Sequence, residues 1–162
     1  MAVRNLNDLF VHGLKDIYHA ERQILRALPK MAKRADSDEL RTAFEEHRAQ
    51  TEEQIHRLQQ VFEAIGKAPR GIKCQAIEGI VEEAEEIMGE VEDENTLDAA
   101  MIASAQSVEH YEISRYGTLK TWAAQLGMND AAQLFDETLQ EEKKTDQLLT
   151  QLAESSANRK AA

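Results

Sequence analysis

The chain has 162 residues and a formal net charge of −11, with 30 acidic side chains against 19 lysines and arginines. This length suits one domain with a sizeable core. The acidic balance argues against nucleic acid as a partner, because phosphates are bound by Lys and Arg, and against an anionic membrane surface. Prolines and glycines number only two and seven, so the composition favours long uninterrupted helices.

The cysteine count and the hydropathy pattern bear on where the protein resides. Cys74 is the only cysteine, so an internal disulfide is impossible and a reducing compartment is favoured. The first residues lack the apolar run of a signal peptide, and no stretch reaches the roughly 20 apolar residues that span a bilayer. We therefore expect a cytoplasmic protein that binds neither membrane nor nucleic acid.

Apolar residues at helical spacing predict two long helices in the first half of the chain. The first covers residues 6–33 and contains Pro29, which predicts a kink or a break at that point. Residues 36–38 supply a turn and an N-cap. The second helix then covers residues 39–65 and ends where a glycine and a proline follow.

The second half predicts a short helix over residues 70–92 and long helices over 96–126 and 131–153. Residues 154–162 carry no apolar pattern and are predicted to fray. The long helices form two hairpins, and the connection between the hairpins can cross the full length of a bundle. The chain is therefore predicted to be all-α, a single ferritin-like four-helix bundle whose one long crossover contains a short extra helix.

Each long helix carries polar residues on its apolar face near mid-length. They are Glu21 on the first helix, His47, Thr51 and Gln54 on the second, Glu109 and Glu112 on the third, and Glu142 and Thr145 on the last. A buried carboxylate costs several kcal/mol unless a counter-charge is present. The nearby arginines fall at the edges of these faces or outside them. They are Arg22, Arg57 and Arg115.

A bound cation is the remaining source of positive charge, since Glu pairs spaced i, i+3 hold metal ions in helical bundles. Glu109 and Glu112 have this spacing. The predicted metal ligands are Glu21, His47, Gln54, Glu109, Glu112 and Glu142. The alternative for the glutamates is a solvated or protonated carboxylate, and for the histidine and the glutamine it is a hydrogen bond within the core.

A second motif matches di-iron proteins in residue types and spacing but not in its orientation on the helix. Glu53-x-x-His56 has the Glu-x-x-His spacing of di-iron helices, but both residues point away from the apolar face of their helix. We expect neither to bind metal. His12, His19 and His110 also project outward and are predicted to be surface residues.

Five segments of the chain resemble the YciF/YciE family of bacterial ferritin-like proteins. They are DIYHAERQ at 16–23, KCQAIEG at 73–79, VEHYEI at 108–113, YGTL at 116–119 and EEKKTD at 141–146. The resemblance covers nearly the whole chain. It implies an architecture similar to rubrerythrins and bacterioferritins, an association with stress responses and a homodimer.

Compared with di-iron relatives, the carboxylate positions match Glu21, Glu109, Glu112 and Glu142, whereas the histidine positions do not. Thr145 follows Glu142 at the i+3 position, and the second helix offers Thr51 and Gln54 in place of Glu-x-x-His. The expected site is rich in oxygen ligands and poor in nitrogen. Such a site suggests looser iron binding, one ion rather than two, or a harder ion such as Mn²⁺ or Mg²⁺.

Two functions are compatible with this sequence. The first is a metal-binding role in stress, of the di-iron type, with at most weak ferroxidase- or peroxidase-like activity. The second is a structural or interaction bundle that acts as a homodimer, with vestigial or no metal binding. The sequence contains no Cys-x-x-Cys pair, so a rubredoxin-like iron centre is absent, which favours binding over turnover.

Overall fold

The computed structural model describes residues 2–162. Within this range every regular element is a helix, which confirms the all-α prediction. The five main helices are α1 (Leu6–Arg34), α2 (Asp38–Ala64), α3 (Gln75–Glu90), α4 (Glu94–Gln125) and α5 (Asn129–Leu152). A π-helical turn over Ala153–Ala157 leads into a last short helix, α6, over Asn158–Ala161. In the described part of the chain, none of these helices is both long and apolar enough to cross a membrane.

The helix directions follow from a few cross-helix contacts. Tyr111 of α4 donates a hydrogen bond to Asp16 near the start of α1, whereas Asp98 near the start of α4 accepts from Ser37, just beyond the end of α1. α1 and α4 are therefore antiparallel. The short turn makes α1 and α2 antiparallel as well, so α2 and α4 run parallel, as the long crossover predicted. Helix α3 packs outside this bundle, against α1 and α4.

The crossover begins as an irregular segment rather than a helix, so the prediction of a helix from residue 70 was wrong. The backbone N–H of Ile72 donates to the carbonyl of Lys15 at 3.2 Å. A Cβ on Gly71 would lie 2.9 Å from the Cβ of His19, so only glycine fits this close approach to α1. Contact with α1, and not local helix propensity, decides the conformation here, and helix α3 starts only at Gln75.

The crossover covers His19, which was predicted to lie on the surface. His19 is half-buried, with its Nε2 at 3.2 Å from Glu78 of α3 and at 3.2 Å from Gln23. His19 was predicted to be a surface residue, and the structure instead shows it partly covered by α3. His12 and His110 are exposed, as predicted.

The structure also bears on two predictions about where helices end. Of the two outcomes predicted at Pro29, a kink or a break, the break does not occur, since α1 continues through this exposed residue to Arg34. The segment 154–162 was predicted to fray, yet the structure gives it helical backbone through Ala161. Ala157 is buried against the core, and the guanidinium of Arg159 donates to the carbonyl of Glu154, contacts that a search for an apolar stripe does not detect.

A buried carboxylate fixes the turn between α1 and α2 to the rest of the bundle. Asp98 of α4 is 4 % exposed and accepts hydrogen bonds from the backbone N–H groups of Asp36 and Ser37, both at 2.9 Å. The Ser37 hydroxyl in turn caps α2 by accepting from the N–H of Leu40. One side chain of α4 thus holds the turn that begins α2.

We expect Asp98→Ala to destabilise the protein by about 3 kcal/mol, because hydrogen bonds to a charged group contribute roughly 1.5–3 kcal/mol and their removal leaves donors without acceptors. Urea unfolding followed by circular dichroism measures this loss. The control is Asp130→Ala in the first turn of α5, where the interaction with the helix dipole contributes only about 0.3–1 kcal/mol. Equal losses in the two variants would contradict the role given to Asp98.

Candidate metal centre

The six residues predicted as ligands all lie inside the bundle. Glu21, Gln54, Glu112 and Glu142 are fully buried, and the remaining two, His47 and Glu109, are 4 % and 1 % exposed. The projection of the apolar faces from sequence therefore identified their orientation. By contrast, Glu53 and His56 are both exposed on the outer side of α2, as predicted.

Four of these residues converge on one point. His47 of α2, Glu109 and Glu112 of α4 and Glu142 of α5 can each present one ligand atom such that all four atoms lie within 4.8 Å of one another. Three helices thus contribute to a space of the size that an ion and its ligands require. We call these four residues the carboxylate–histidine cluster.

Glu21 approaches this cluster from α1. The hydroxyl of Tyr116 donates a hydrogen bond to its Oε1, while its Oε2 is buried without a partner. Burial, followed by the negative charge of Glu142, raises the pKa of Glu21 to about 8. Tyr116 is itself completely buried, and burial together with the charge of Glu21 holds the pKa of its phenol well above the ordinary value.

The imidazole of His47 lies beside Glu109. Its Nε2 is 3.1 Å from Oε1 of Glu109, close enough for an ion pair if the ring is protonated. The orientation does not satisfy a hydrogen bond, however, and both ring nitrogens are buried without a hydrogen-bond partner. The two atoms are in contact but do not form a hydrogen bond, so either ring nitrogen can coordinate a metal ion.

The cluster favours protonated carboxyls in the metal-free protein. Burial raises the pKa of Glu109 to about 8. Burial and the neighbouring carboxylates hold the pKa values of Glu112 and Glu142 well above their ordinary range. A cation that binds here must therefore displace protons.

The buried polar atoms that lack hydrogen-bond partners belong to the same six residues. With all carboxyls ionised, nine buried side-chain nitrogen and oxygen atoms lack a hydrogen-bond partner in the described part of the chain. Every one of them belongs to Glu21, His47, Gln54, Glu109, Glu112 or Glu142. Glu21 with Glu112, and Glu109 with Glu142, can share a hydrogen bond only while one carboxyl of the pair is protonated. Leaving a buried polar group unpaired costs roughly 1–3 kcal/mol. A donor set of carboxylate, amide and imidazole atoms fits a divalent metal ion, which would satisfy these atoms together.

A network at the edge of the cluster orients Gln54, and sequence reasoning missed it. The guanidinium of Arg57 donates twice to Glu141, at 2.7 Å each. The side-chain N–H of Gln54 donates to the same carboxylate at 3.1 Å. The amide nitrogen of Gln54 is thus occupied, and its oxygen is the atom left buried and unpartnered. Arg57 and Glu141 lie on different helices, and only the register of α2 against α5 brings them together.

The two inward threonines have other partners. The Thr51 hydroxyl donates to the backbone carbonyl of His47 at 2.9 Å. The single Thr145 hydroxyl hydrogen has two acceptors within reach, the carbonyl of Glu141 at 3.2 Å and the side-chain oxygen of Gln50 at 3.4 Å. Neither hydroxyl replaces the histidine nitrogens found in di-iron proteins, so the cluster keeps one nitrogen-bearing residue, His47.

The fold and the site together define an all-α, ferritin-like bundle with a buried carboxylate–histidine cluster. Residues 5–162 match the family described as "Domain of unknown function (DUF892)", and the chain belongs to this family. The chain is also 47% identical to Protein YciF of Escherichia coli strain K12 over 162 residues, 99% of this chain and 98% of that protein. The resemblance to the YciF/YciE family is thereby confirmed.

Solved structures agree with this assignment. The crystal structure of the E. coli stress protein YciF has a TM-score of 0.92 and 46% identity, and the match covers 96% of this chain and 99% of that chain. YcfI from Rhodopseudomonas palustris, provisionally described as a structural protein, has a TM-score of 0.90 and 47% identity over 91% of this chain and 94% of that chain. A two-domain Anabaena variabilis protein with DJ-1/ThiJ/PfpI-like and ferritin-like domains matches at a TM-score of 0.63 and 19% identity, over 94% of this chain and 37% of that chain, and supports the fold alone.

Proposed function

We propose that this protein is a ferritin-like metal-binding protein that holds divalent ions, iron foremost, in the carboxylate–histidine cluster. The observation that carries the proposal is the set of nine unpartnered buried atoms, all on the six residues predicted as ligands. His47, Glu109, Glu112 and Glu142 would bind the ion directly, with Glu21 and Gln54 beside them. Bound iron would supply one-electron redox chemistry, whereas Mn²⁺ or Mg²⁺ would also suit ligands dominated by oxygen.

The chain's own residues perform three tasks in this proposal. The buried carboxyls hold protons until an ion displaces them. Tyr116 keeps its phenolic proton and uses it to orient Glu21 through their hydrogen bond. The Arg57–Glu141 pair binds the amide nitrogen of Gln54 and so directs its oxygen to the core. Because the relative YciF is a stress protein, we place this metal binding in a stress response.

Anaerobic calorimetric titration of the metal-free protein with Fe²⁺ and with Mn²⁺ tests the proposal. We expect saturable binding of one or two ions per chain. Repeating the titration in buffers of different ionisation enthalpy should reveal proton release, because the displaced protons come from carboxyls with raised pKa values. Absence of binding would overturn the proposal.

That negative result would favour the alternative, a structural bundle that acts as a homodimer. The provisional description of YcfI as a structural protein is the observation that supports it. Light scattering of the purified protein would give the oligomeric state, for which we propose a dimer in either case. A dimer combined with no metal uptake would make the structural role the better account.

The network around Gln54 makes a separate prediction. Glu141→Ala should weaken Mn²⁺ binding roughly 10–100-fold, the usual effect of removing a group that orients a ligand. Glu137→Ala is the matched control, since Glu137 lies one turn earlier on α5 and approaches Arg57 at 3.7 Å without a hydrogen bond to Gln54. Competition titrations followed by electron paramagnetic resonance measure both. Equal affinities in the two variants would show that Gln54 needs no such orientation.

A further inference from the structure

A cavity of about 40 Å³ lies between the bundle and the overlying helix α3. At its outer end are Lys30 of α1 and Glu85 of α3, two exposed side chains paired at 2.8 Å. At its inner end are His47, Glu109 and Thr145. The cavity thus extends from the protein surface to the carboxylate–histidine cluster.

The walls between these two ends are almost wholly apolar. They include Leu28 and Met31 of α1, Phe44 of α2, Met88 of α3 and Val108 of α4. A hydrated cation would have to give up its water to pass such walls, at a prohibitive cost. A buried water needs two to four polar partners, which carbon walls do not offer. The occupant that fits is uncharged and forms no hydrogen bonds.

The volume limits that occupant to a small molecule. About 10–15 Å³ of such volume holds one water, so this cavity of about 40 Å³ admits a diatomic molecule but not a fatty acid or an aromatic ring. Two buried alanines, Ala84 of α3 and Ala105 of α4, line it and leave the space open. A larger side chain at either position would fill it.

The geometry points to a passage by which dioxygen reaches the metal centre from the surface between α1 and α3. This inference deepens the proposed function and rests on it for its biological meaning, because it gives the centre a specific small reactant. Dioxygen is apolar and suits carbon walls. Hydrogen peroxide, which donates two hydrogen bonds, would find no partner along most of the route.

Methyl NMR of the metal-free protein under dioxygen pressure tests the passage. Dioxygen is paramagnetic, so methyl groups at the cavity should relax several-fold faster than equally buried methyl groups elsewhere. The buried methyls of Ile24, Leu28 and Met88 line the cavity, whereas Leu58 and Val61 are buried away from it. The Thr145 methyl reports on the inner end.

Filling the cavity should abolish the effect. In Ala105→Leu the relaxation enhancement at the cavity methyls should be lost, whereas Ala103→Leu, an exposed position two residues earlier on α4, should retain it. If Ala105→Leu does not fold, Ala84→Leu fills the same space from α3.

Uniform enhancement across all buried methyls, or enhancement that survives filling, would overturn the inference. These outcomes do not depend on metal. Failure of the metal titration would overturn the proposed function but would leave a cavity-specific dioxygen effect unchanged. The two failures are therefore distinguishable.

Discussion

The double variant Glu109→Gln with Glu142→Gln should lose all thermal stabilisation by metal. A ligand that binds only the folded state at 100 times its Kd stabilises it by about 2.7 kcal/mol. For a chain of this size, each kcal/mol corresponds to roughly 2–4 °C in Tm. We therefore expect Mn²⁺ to raise the Tm of the unmodified protein by about 5–10 °C, and to leave the double variant unchanged.

Two controls make this result specific. Gln has nearly the shape of a protonated Glu and cannot ionise, so the metal-free double variant should be at least as stable as the parent and equally helical by circular dichroism. The second control is Glu53→Ala with His56→Ala, which removes the exposed Glu-x-x-His motif. That variant should keep the full metal-dependent rise in Tm. Loss of the rise in the second variant would show that the wrong face of α2 was chosen.

The metal-free protein should become less stable as the pH rises from about 5 to about 8, an unusual direction for a protein rich in carboxylates. Burial raises the pKa values of Glu21 and Glu109 from an ordinary 4.5 to about 8. A group whose pKa is raised by folding contributes its full stability below the unfolded value. That contribution is lost as the pH passes the folded value. Since one pKa unit corresponds to about 1.4 kcal/mol, we expect a loss of several kcal/mol.

Urea unfolding at a series of pH values, in the presence of a chelator, measures this dependence. The unfolding midpoint should fall steadily over the window and then level off. The double variant of Glu109 and Glu142 should give a flatter profile, because two of the interacting carboxyls are gone. Saturating metal should reverse the trend, since deprotonated carboxylates bind it better. A midpoint that rises with pH in the metal-free protein would contradict the raised pKa values.

The sequence predicted the bundle and the inward residues because both depend on a single periodic pattern. Apolar residues recur at helical spacing along four long segments, and this fixes which way Glu21, Glu109 and Glu142 point. The rejection of Glu53 and His56 followed from the same projection. Whether the inward residues bind a metal is a separate prediction, which their burial and missing hydrogen-bond partners support.

What the sequence did not predict depends on contacts between distant segments. Gly71 lies against His19 because the crossover must pass close to α1, and no local pattern encodes that approach. The Arg57–Glu141 pair needs the register of α2 against α5. The helical end of the chain depends on the packing of Ala157 against the core. Each of these features becomes visible only once helices have been placed relative to one another.

The central claim is that the buried carboxylate–histidine cluster binds a metal ion. Anomalous diffraction from crystals soaked anaerobically in Fe²⁺ or Mn²⁺ tests it most directly, because it locates the ion. We predict a peak bounded by His47, Glu109, Glu112 and Glu142, with Glu21 and Gln54 adjacent. A peak only among the exposed acidic side chains, or none at all, would contradict the claim.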